Sequence, residues 1–229
     1  MEPMVGCMLF LSILTGLWMV RQEQKKKNTE AFLWKTLASL LFVFAGILAS
    51  AMTSKTPAMG KELVLGGLVA GLLGDMFLSM PSISKEENRG LFIIVGGGCF
   101  ALGHILYFLS FLGSTRGVIL WPYLLVLLLL ALVDLLIRAR IWEAEGVLGM
   151  GFRLYGAISG LLLAGAIGAV LSGGHWISFV AALLFVASDL LLAHLQLASR
   201  KISPRYAYLS ILLYYSAQAA FVLRLLFWP

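Results

Sequence analysis

Apolar residues in this chain come in runs of 18 to 23, without the regular polar face of a soluble amphipathic helix. At 1.5 Å of rise per residue, such a run crosses the roughly 30 Å of a bilayer's hydrocarbon. Eight are predicted, at about 3–20, 33–52, 63–80, 91–113, 118–137, 152–172, 176–198 and 207–227. Short segments rich in turn residues separate several of them: "KTPAMGKE", "PSISKEENRG", "GSTRG", "SGGH" and "ASRKISPR". Five of the six prolines fall in linkers or at span ends, and Pro122 sits in the first turn or so of the fifth span, where its missing N–H is harmless. The pattern predicts an all-α polytopic membrane protein, a bundle of eight transmembrane helices forming one domain over 1–229. The first run has no basic leader and no small-residue cleavage site after it, so it is read as an uncleaved helix.

Composition adds an exclusion. The chain is 61% hydrophobic and 12% charged, with a mean hydropathy of +0.96, whereas soluble domains carry about 25% charged residues. No soluble domain has room to exist. The 17 basic residues outnumber the 11 acidic ones, but they lie in short loops between spans. That placement points to anionic lipid headgroups and not to nucleic acid. Thirteen of the 17 fall in or beside the first, third, fifth and seventh linkers. By the positive-inside rule these linkers are cytoplasmic, and both termini lie on the non-cytoplasmic side. Cys7 and Cys99 both fall in apolar runs, which argues against a disulfide framework.

The acids divide sharply. All eight glutamates lie in linkers or at span ends, while the only three aspartates, Asp75, Asp134 and Asp189, lie within apolar spans. A carboxylate at the centre of a membrane helix costs roughly 2.5–3.5 kcal/mol on insertion scales, so each needs a reason. Asp75 and Asp189 fall at similar depth in the inner half, and Asp134 is one turn from the cytoplasmic end. Gly67, Gly71, Asp75 and Ser79 repeat every four residues, which puts Asp75 on a small-residue face where helices approach closely. His104 and Tyr107 share a face, as do Ser210, Tyr214, Tyr215 and Gln218. Plainer readings exist: an intramembrane aspartate can bind a helix-packing hydroxyl, a single histidine can be structural, and His175 and His194 at span edges read as interfacial. Asp75 to His104 and Asp189 to Gln218 are both 29 residues apart, the spacing a four-helix duplication about the membrane normal would leave.

Five segments in order, "GLLGDMFLS", "FALGHILYFLSF", "LYGAISGLLLAGA", "ALLFVASDLLLA" and "LLYYSAQ", resemble the YhhN-like lysoplasmalogenase family over about Lys35 to Gln218. The resemblance implies an eight-helix hydrolase of the bacterial inner membrane that cleaves the vinyl ether of a lysoplasmalogen. Its products would be a fatty aldehyde and a glycerophospho-ethanolamine or -choline. It further implies Asp75, His104 and Asp189 as catalytic residues, with Tyr107, Tyr155, Ser188, Tyr214, Gln218 and Lys35 binding substrate, and no cofactor. Lys35 in "WKTL" is followed by Thr36 where the family usually has proline, and Asp134 matches no motif.

The chemistry fits two carboxyls. Vinyl ether hydrolysis starts by protonating the alkene carbon and passes through an oxocarbenium ion, to which water adds. Two aspartates in one low-dielectric pocket would supply an acid and a counter-charge. Asp75, His104, Tyr107, Asp189 and Gln218 are therefore expected to line one cavity, with a lysophospholipid entering sideways and its phosphate near Lys35, Arg153 or Arg205. A zinc site is the rival reading, but one mid-span histidine and two aspartates make an incomplete ligand set. A proton-coupled carrier is the alternative class, since intramembrane acids also mark ion paths. A non-catalytic lipid-binding protein would explain a pocket without explaining its acids.

Overall fold

The computed structural model describes residues 2–53, 59–84, 86–112, 120–144, 146–198 and 203–227. The intervening linker residues, with Lys55, Lys85, Arg116, Arg200 and Lys201 among them, lie outside it. Eight helices form the described chain: α1 (Glu2–Gln24), α2 (Asn28–Met52), α3 (Met59–Ser79), α4 (Arg89–Leu112), α5 (Leu124–Arg138), α6 (Gly146–Leu171), α7 (Ile177–Leu197) and α8 (Arg205–Leu226). Each predicted span is a helix, and all eight are long and apolar enough to cross a membrane, α5 together with the turn before it. The second and sixth helices start about one and a half turns earlier than hydropathy marks, because residues such as Asn28, Thr29 and Glu30 are polar yet compatible with a first helical turn. Pro122 lies in the single 3₁₀ turn Trp121–Tyr123 that leads into α5. Gly96, Gly97 and Gly98 do not unwind their helix; α4 runs through them.

The odd-numbered linkers meet at one end of the bundle. Asn28 Nδ2 donates to the Ser82 carbonyl at 2.8 Å, and Tyr208 OH reaches Gln24 Oε1 at 3.4 Å. The segment after α5 is tied to the end of α7 by an isolated antiparallel bridge between Trp142 and Ala198, by Glu143 N to Leu197 O at 2.7 Å and by Trp142 Nε1 to His194 Nδ1 at 3.1 Å. At the opposite end His175 stacks on Phe227, ring centroids 4.5 Å apart, and Arg224 grips Ser110 through Nη1 to Oγ at 2.9 Å and Nη2 to the carbonyl at 3.1 Å. This connectivity is what a chain crossing eight times requires. With the basic linkers gathered at one end, a cytoplasm-dependent reporter fused after Pro229 is expected to stay silent, and activity there would invert the orientation.

The core is built from small residues that let large ones in. A Cβ on Gly67 would fall 2.4 Å from Tyr107 Cε1, and one on Gly71 would fall 2.6 Å from Gln218 Nε2. Those two glycines of α3 are the gaps through which α4 and α8 bring polar side chains to the centre. Asp134, by contrast, is peripheral. It joins Arg138 on its own helix and takes Arg153 Nε at 2.8 Å from α6, which pins α5 to α6.

Candidate functional site

Two separate polar networks occupy the interior, each built on one aspartate. Asp75, on α3, is buried. Ser39 Oγ of α2 donates to its Oδ2 at 2.6 Å, Lys35 Nζ lies 3.4 Å from its Oδ1, and Tyr214 of α8 also engages the carboxyl. Lys35 and Ser39 reach it together because residues four apart share a helix face. The network continues through Gln218 Nε2, which donates to Tyr214 OH at 3.1 Å, while Tyr107 OH donates to Gln218 Oε1 at 2.7 Å. Beyond Tyr107, Ser110 Oγ binds its carbonyl at 2.7 Å and hands the column on to Arg224. Three donors converge on Asp75, and one of them is a cation. Hydrogen bonds to a charged group are the stronger ones, so the three together fix the carboxyl in place.

Asp189, on α7, has different company. His104 Nε2 of α4 lies 2.9 Å from its Oδ2, and Tyr155 of α6 engages the same carboxyl. His104 Nδ1 is 2.8 Å from the Phe100 carbonyl. A carbonyl only accepts, so the Nδ1 atom carries a proton. A neutral His104 would then turn a lone pair of Nε2 toward a carboxyl oxygen, which at this distance repels unless a proton lies between them. A single proton, on Nε2 or on Oδ2, would make this contact favourable. The two atoms are close but not aligned as a hydrogen bond, and neither has another partner among the described residues.

An apolar cavity of about 320 Å³ opens beside this dyad. Its walls come from α4, α6 and α7, with Leu78 of α3, and its polar lining residues are Asp189, Tyr155 and Gln196. Ile94, Val147 and Leu154 line it and are themselves exposed on the lipid-facing surface. The cavity thus has a lateral entrance. Gln196 lies seven residues beyond Asp189 on α7, about 10 Å along the axis toward the odd-linker end. A second, smaller cavity lies between α5, α6 and α7 and is also lined by Tyr155 and Asp189.

The chain's family follows from its sequence. A family model described as the YhhN family matches residues 30–225, most of the chain. The chain belongs to the YhhN family. No curated protein and no solved structure matches it. The match spans both networks and the cavity of this YhhN protein, so the geometry above concerns the family's own region and not an appended one.

The site expected as one cavity is divided. Asp189 and Tyr155 line the large cavity, whereas Asp75, His104, Tyr107 and Gln218 line neither cavity. His104 touches the site through Asp189. Tyr107, Tyr214, Gln218 and Lys35 belong to the Asp75 column, and rings lie between the two networks: Tyr214 packs edge-on against Phe100 and Phe185, and Phe185 lies 4.6 Å from the His104 ring. The physical reason is the size of those rings, which fill the space a shared pocket would need. Ser188 does not face the cavity; it and Ser210 exchange bonds to each other's carbonyls at 3.0 and 3.2 Å, clamping α7 to α8. Lys35 and Arg153 are both engaged by aspartates, and Arg205 is exposed at the start of α8. No cluster of three or more His, Cys, Asp or Glu side chains capable of holding a metal occurs among the described residues.

The division retains a symmetry. Asp75 is met by the helix before it, α2, and by α8; Asp189 is met by the helix before it, α6, and by α4. Each aspartate thus draws one partner from its own half of the chain and one from the other half. Ser39 went unread in the sequence, although its place four residues after Lys35 was a signal that the two share a helix face. Phe100 and Phe185 carried no signal, because an aromatic that walls a site looks like any core aromatic.

Proposed function

We propose that this protein is a lysoplasmalogenase-like hydrolase, cleaving the vinyl ether bond of a single-chain 1-alkenyl glycerophospholipid. The observation that carries the reading is the position of the His104–Asp189 dyad, an imidazole–carboxyl pair in the wall of an otherwise apolar cavity that is open to lipid. The reaction needs an acid close to an alkene and no strong nucleophile, and the site offers that combination. Asp189 protonates the alkene carbon remote from the ether oxygen, and its carboxylate then faces the oxocarbenium ion as counter-charge. His104, fixed by the Phe100 carbonyl, sets the dyad's proton count and holds the carboxyl in place; Tyr155 orients it from the other side.

Asp75 has a different role in this reading. Its oxygens are taken by Ser39, Lys35 and Tyr214, which leaves it a positioning and structural group. The same saturation counts against a carrier, because a cargo ion would find no free oxygen there. The lipid enters between α4 and α6 with its tail toward Ile94 and Leu154. Its headgroup then lies at the odd-linker end, where Gln196 lines the mouth and the exposed Arg89 opens α4 one turn before Ile93.

The test is direct. Purified protein in detergent, given lysoplasmalogen, is expected to release fatty aldehyde and free glycerophospho-headgroup, and to leave the saturated alkyl-ether analogue intact. Release of a fatty acid from an acyl lysophospholipid in place of aldehyde would point to an esterase and sink the vinyl-ether reading.

A further inference from the structure

The large cavity is apolar, and a lipid tail entering it displaces loosely held water. Hydrolysis nevertheless consumes one water per turnover. The smaller cavity answers that need. It lies on the α5 side of the dyad, among Leu129, Val133, Gly156, Ser159 and Val186, and it shares four lining residues with the lipid cavity: Phe152, Tyr155, Asp189 and Ala193. Those four form the partition between the two spaces. Its room for water-sized centres is about 20 Å³, above the roughly 10–15 Å³ that one water needs. Asp189, Tyr155 and Ser159 are the residues of its lining that carry a carboxyl, a phenol and a hydroxyl. A stored water requires two to four such partners. Tyr155 and Ser159 are four residues apart on α6 and so present to the same side. Asp189 is nine-tenths buried as a side chain, with its Oδ2 toward His104 Nε2 at 2.9 Å. Trp142, also in the lining, has its indole N–H committed to His194 and does not compete.

We propose that this small cavity is the binding site of the hydrolytic water, held by Ser159, Tyr155 and Asp189 and passed across the partition to the substrate. The proposal rests on the vinyl-ether reading above. In the first step the dyad's proton goes to the alkene carbon, the π pair becomes the new C–H bond, and the oxygen-bearing carbon becomes an oxocarbenium ion. The water's oxygen then bonds to that carbon, and one of its protons returns to the dyad. The product is a hemiacetal, and the dyad regains its starting proton count. The hemiacetal then collapses: its O–H pair becomes the C=O bond, the C–O pair leaves with the glycerol oxygen, and the dyad carries the hydroxyl proton across to that oxygen, giving aldehyde and alcohol. One water is consumed, and no oxidant or reductant enters. A single carboxyl serves first as acid and then as base, which removes the need for a second aspartate at the site.

Ser159→Val fills the cavity and removes one of its polar partners, and it tests the idea. Turnover of lysoplasmalogen is expected to fall about 100-fold, the lower range for lost acid–base assistance, while the inhibition constant of the saturated alkyl-ether lysophospholipid changes less than about twofold. A folded Ser159→Val that binds the analogue and turns over at the wild-type rate overturns the proposal. The second measurement is a wild-type experimental structure at a resolution that shows waters. A water within hydrogen-bond reach of Asp189 and Tyr155 is expected in the small cavity, and its absence overturns the proposal even if Ser159→Val fails to fold. If the wild type releases no aldehyde, the vinyl-ether reading fails on its own evidence. The water's catalytic part falls with it, and the density then reports only on the cavity's contents.

Discussion

Asp189→Asn is expected to abolish aldehyde release while the protein stays folded and still binds the saturated ether analogue. Asparagine keeps the shape of the carboxyl and its contact with Tyr155, but it cannot donate a proton to carbon or take one back from water. General acid assistance is typically worth 10²–10⁴-fold, and removing the carboxylate also removes the counter-charge of the cation it creates. The combined loss should reach about 10³-fold or more in turnover, with little change in analogue affinity, because the missing interactions exist only in the transition state. His104→Gln should lower turnover less, since Asp189 can still be protonated without it. Proton transfer to carbon is slow, so wild-type turnover in heavy water should drop as well, unless product release limits the rate. Near-normal aldehyde release by Asp189→Asn would remove the dyad from the mechanism.

Asp75→Asn is expected to fail for another reason. It leaves the Lys35 ammonium in the bundle core with its counter-ion gone. Breaking a buried ion pair from one side typically costs about 3–5 kcal/mol, a large part of a domain's net stability of about 5–15 kcal/mol. The loss should appear as a lower unfolding temperature in detergent and a lower yield in the membrane. Adding Lys35→Met should restore most of it, because removing both partners of a buried pair in favour of apolar groups is often close to neutral. The opposite pattern would be informative. If Asp75→Asn keeps full thermal stability and analogue binding but loses all turnover, Asp75 is part of the chemistry, and the paired-aspartate mechanism that the sequence suggests is restored.

The reason that mechanism looked natural lies in what periodicity can and cannot encode. Eight apolar runs with basic linkers leave little freedom in fold class, since a backbone in hydrocarbon must satisfy its own hydrogen bonds. The number and order of the helices, the small-residue face around Asp75 and the gathering of odd linkers at one end were readable for that reason, while the starts of α2 and α6 were not. Periodicity also identified which side chains turn inward, and Asp75, His104, Tyr107, Asp189, Tyr214 and Gln218 all do. It could not say which inward-facing groups meet. Asp75 and Asp189 sit in the later halves of α3 and α7, yet the rings of Phe100 and Phe185 pack between Tyr214 of one network and His104 of the other. Nothing in a one-dimensional pattern separates a ring that divides two sites from a ring that lines one. Ser159 was hidden in the same way: a single serine in a helix of glycines and alanines reads as a packing residue until a cavity is seen beside it.

The column around Asp75 has a consequence of a different kind. On its α4–α8 side its hydrogen bonds run one way, from Tyr107 to Gln218, from Gln218 to Tyr214 and from Tyr214 toward the carboxylate. Conduction along a chain of hydrogen bonds requires each link to accept a proton on one side and release another on the far side, and then to reorient. A carboxamide does not do this readily, because relaying a proton would force it through its unstable imidic tautomer. Gln218 is therefore a break in the circuit, and the fixed direction of the bonds on either side of it gives the column one frozen order of protons. The stretch from Tyr107 to Asp75 is therefore expected to hold protons in place and not to relay them, so that an acid buried in the core need not open a path for proton leakage.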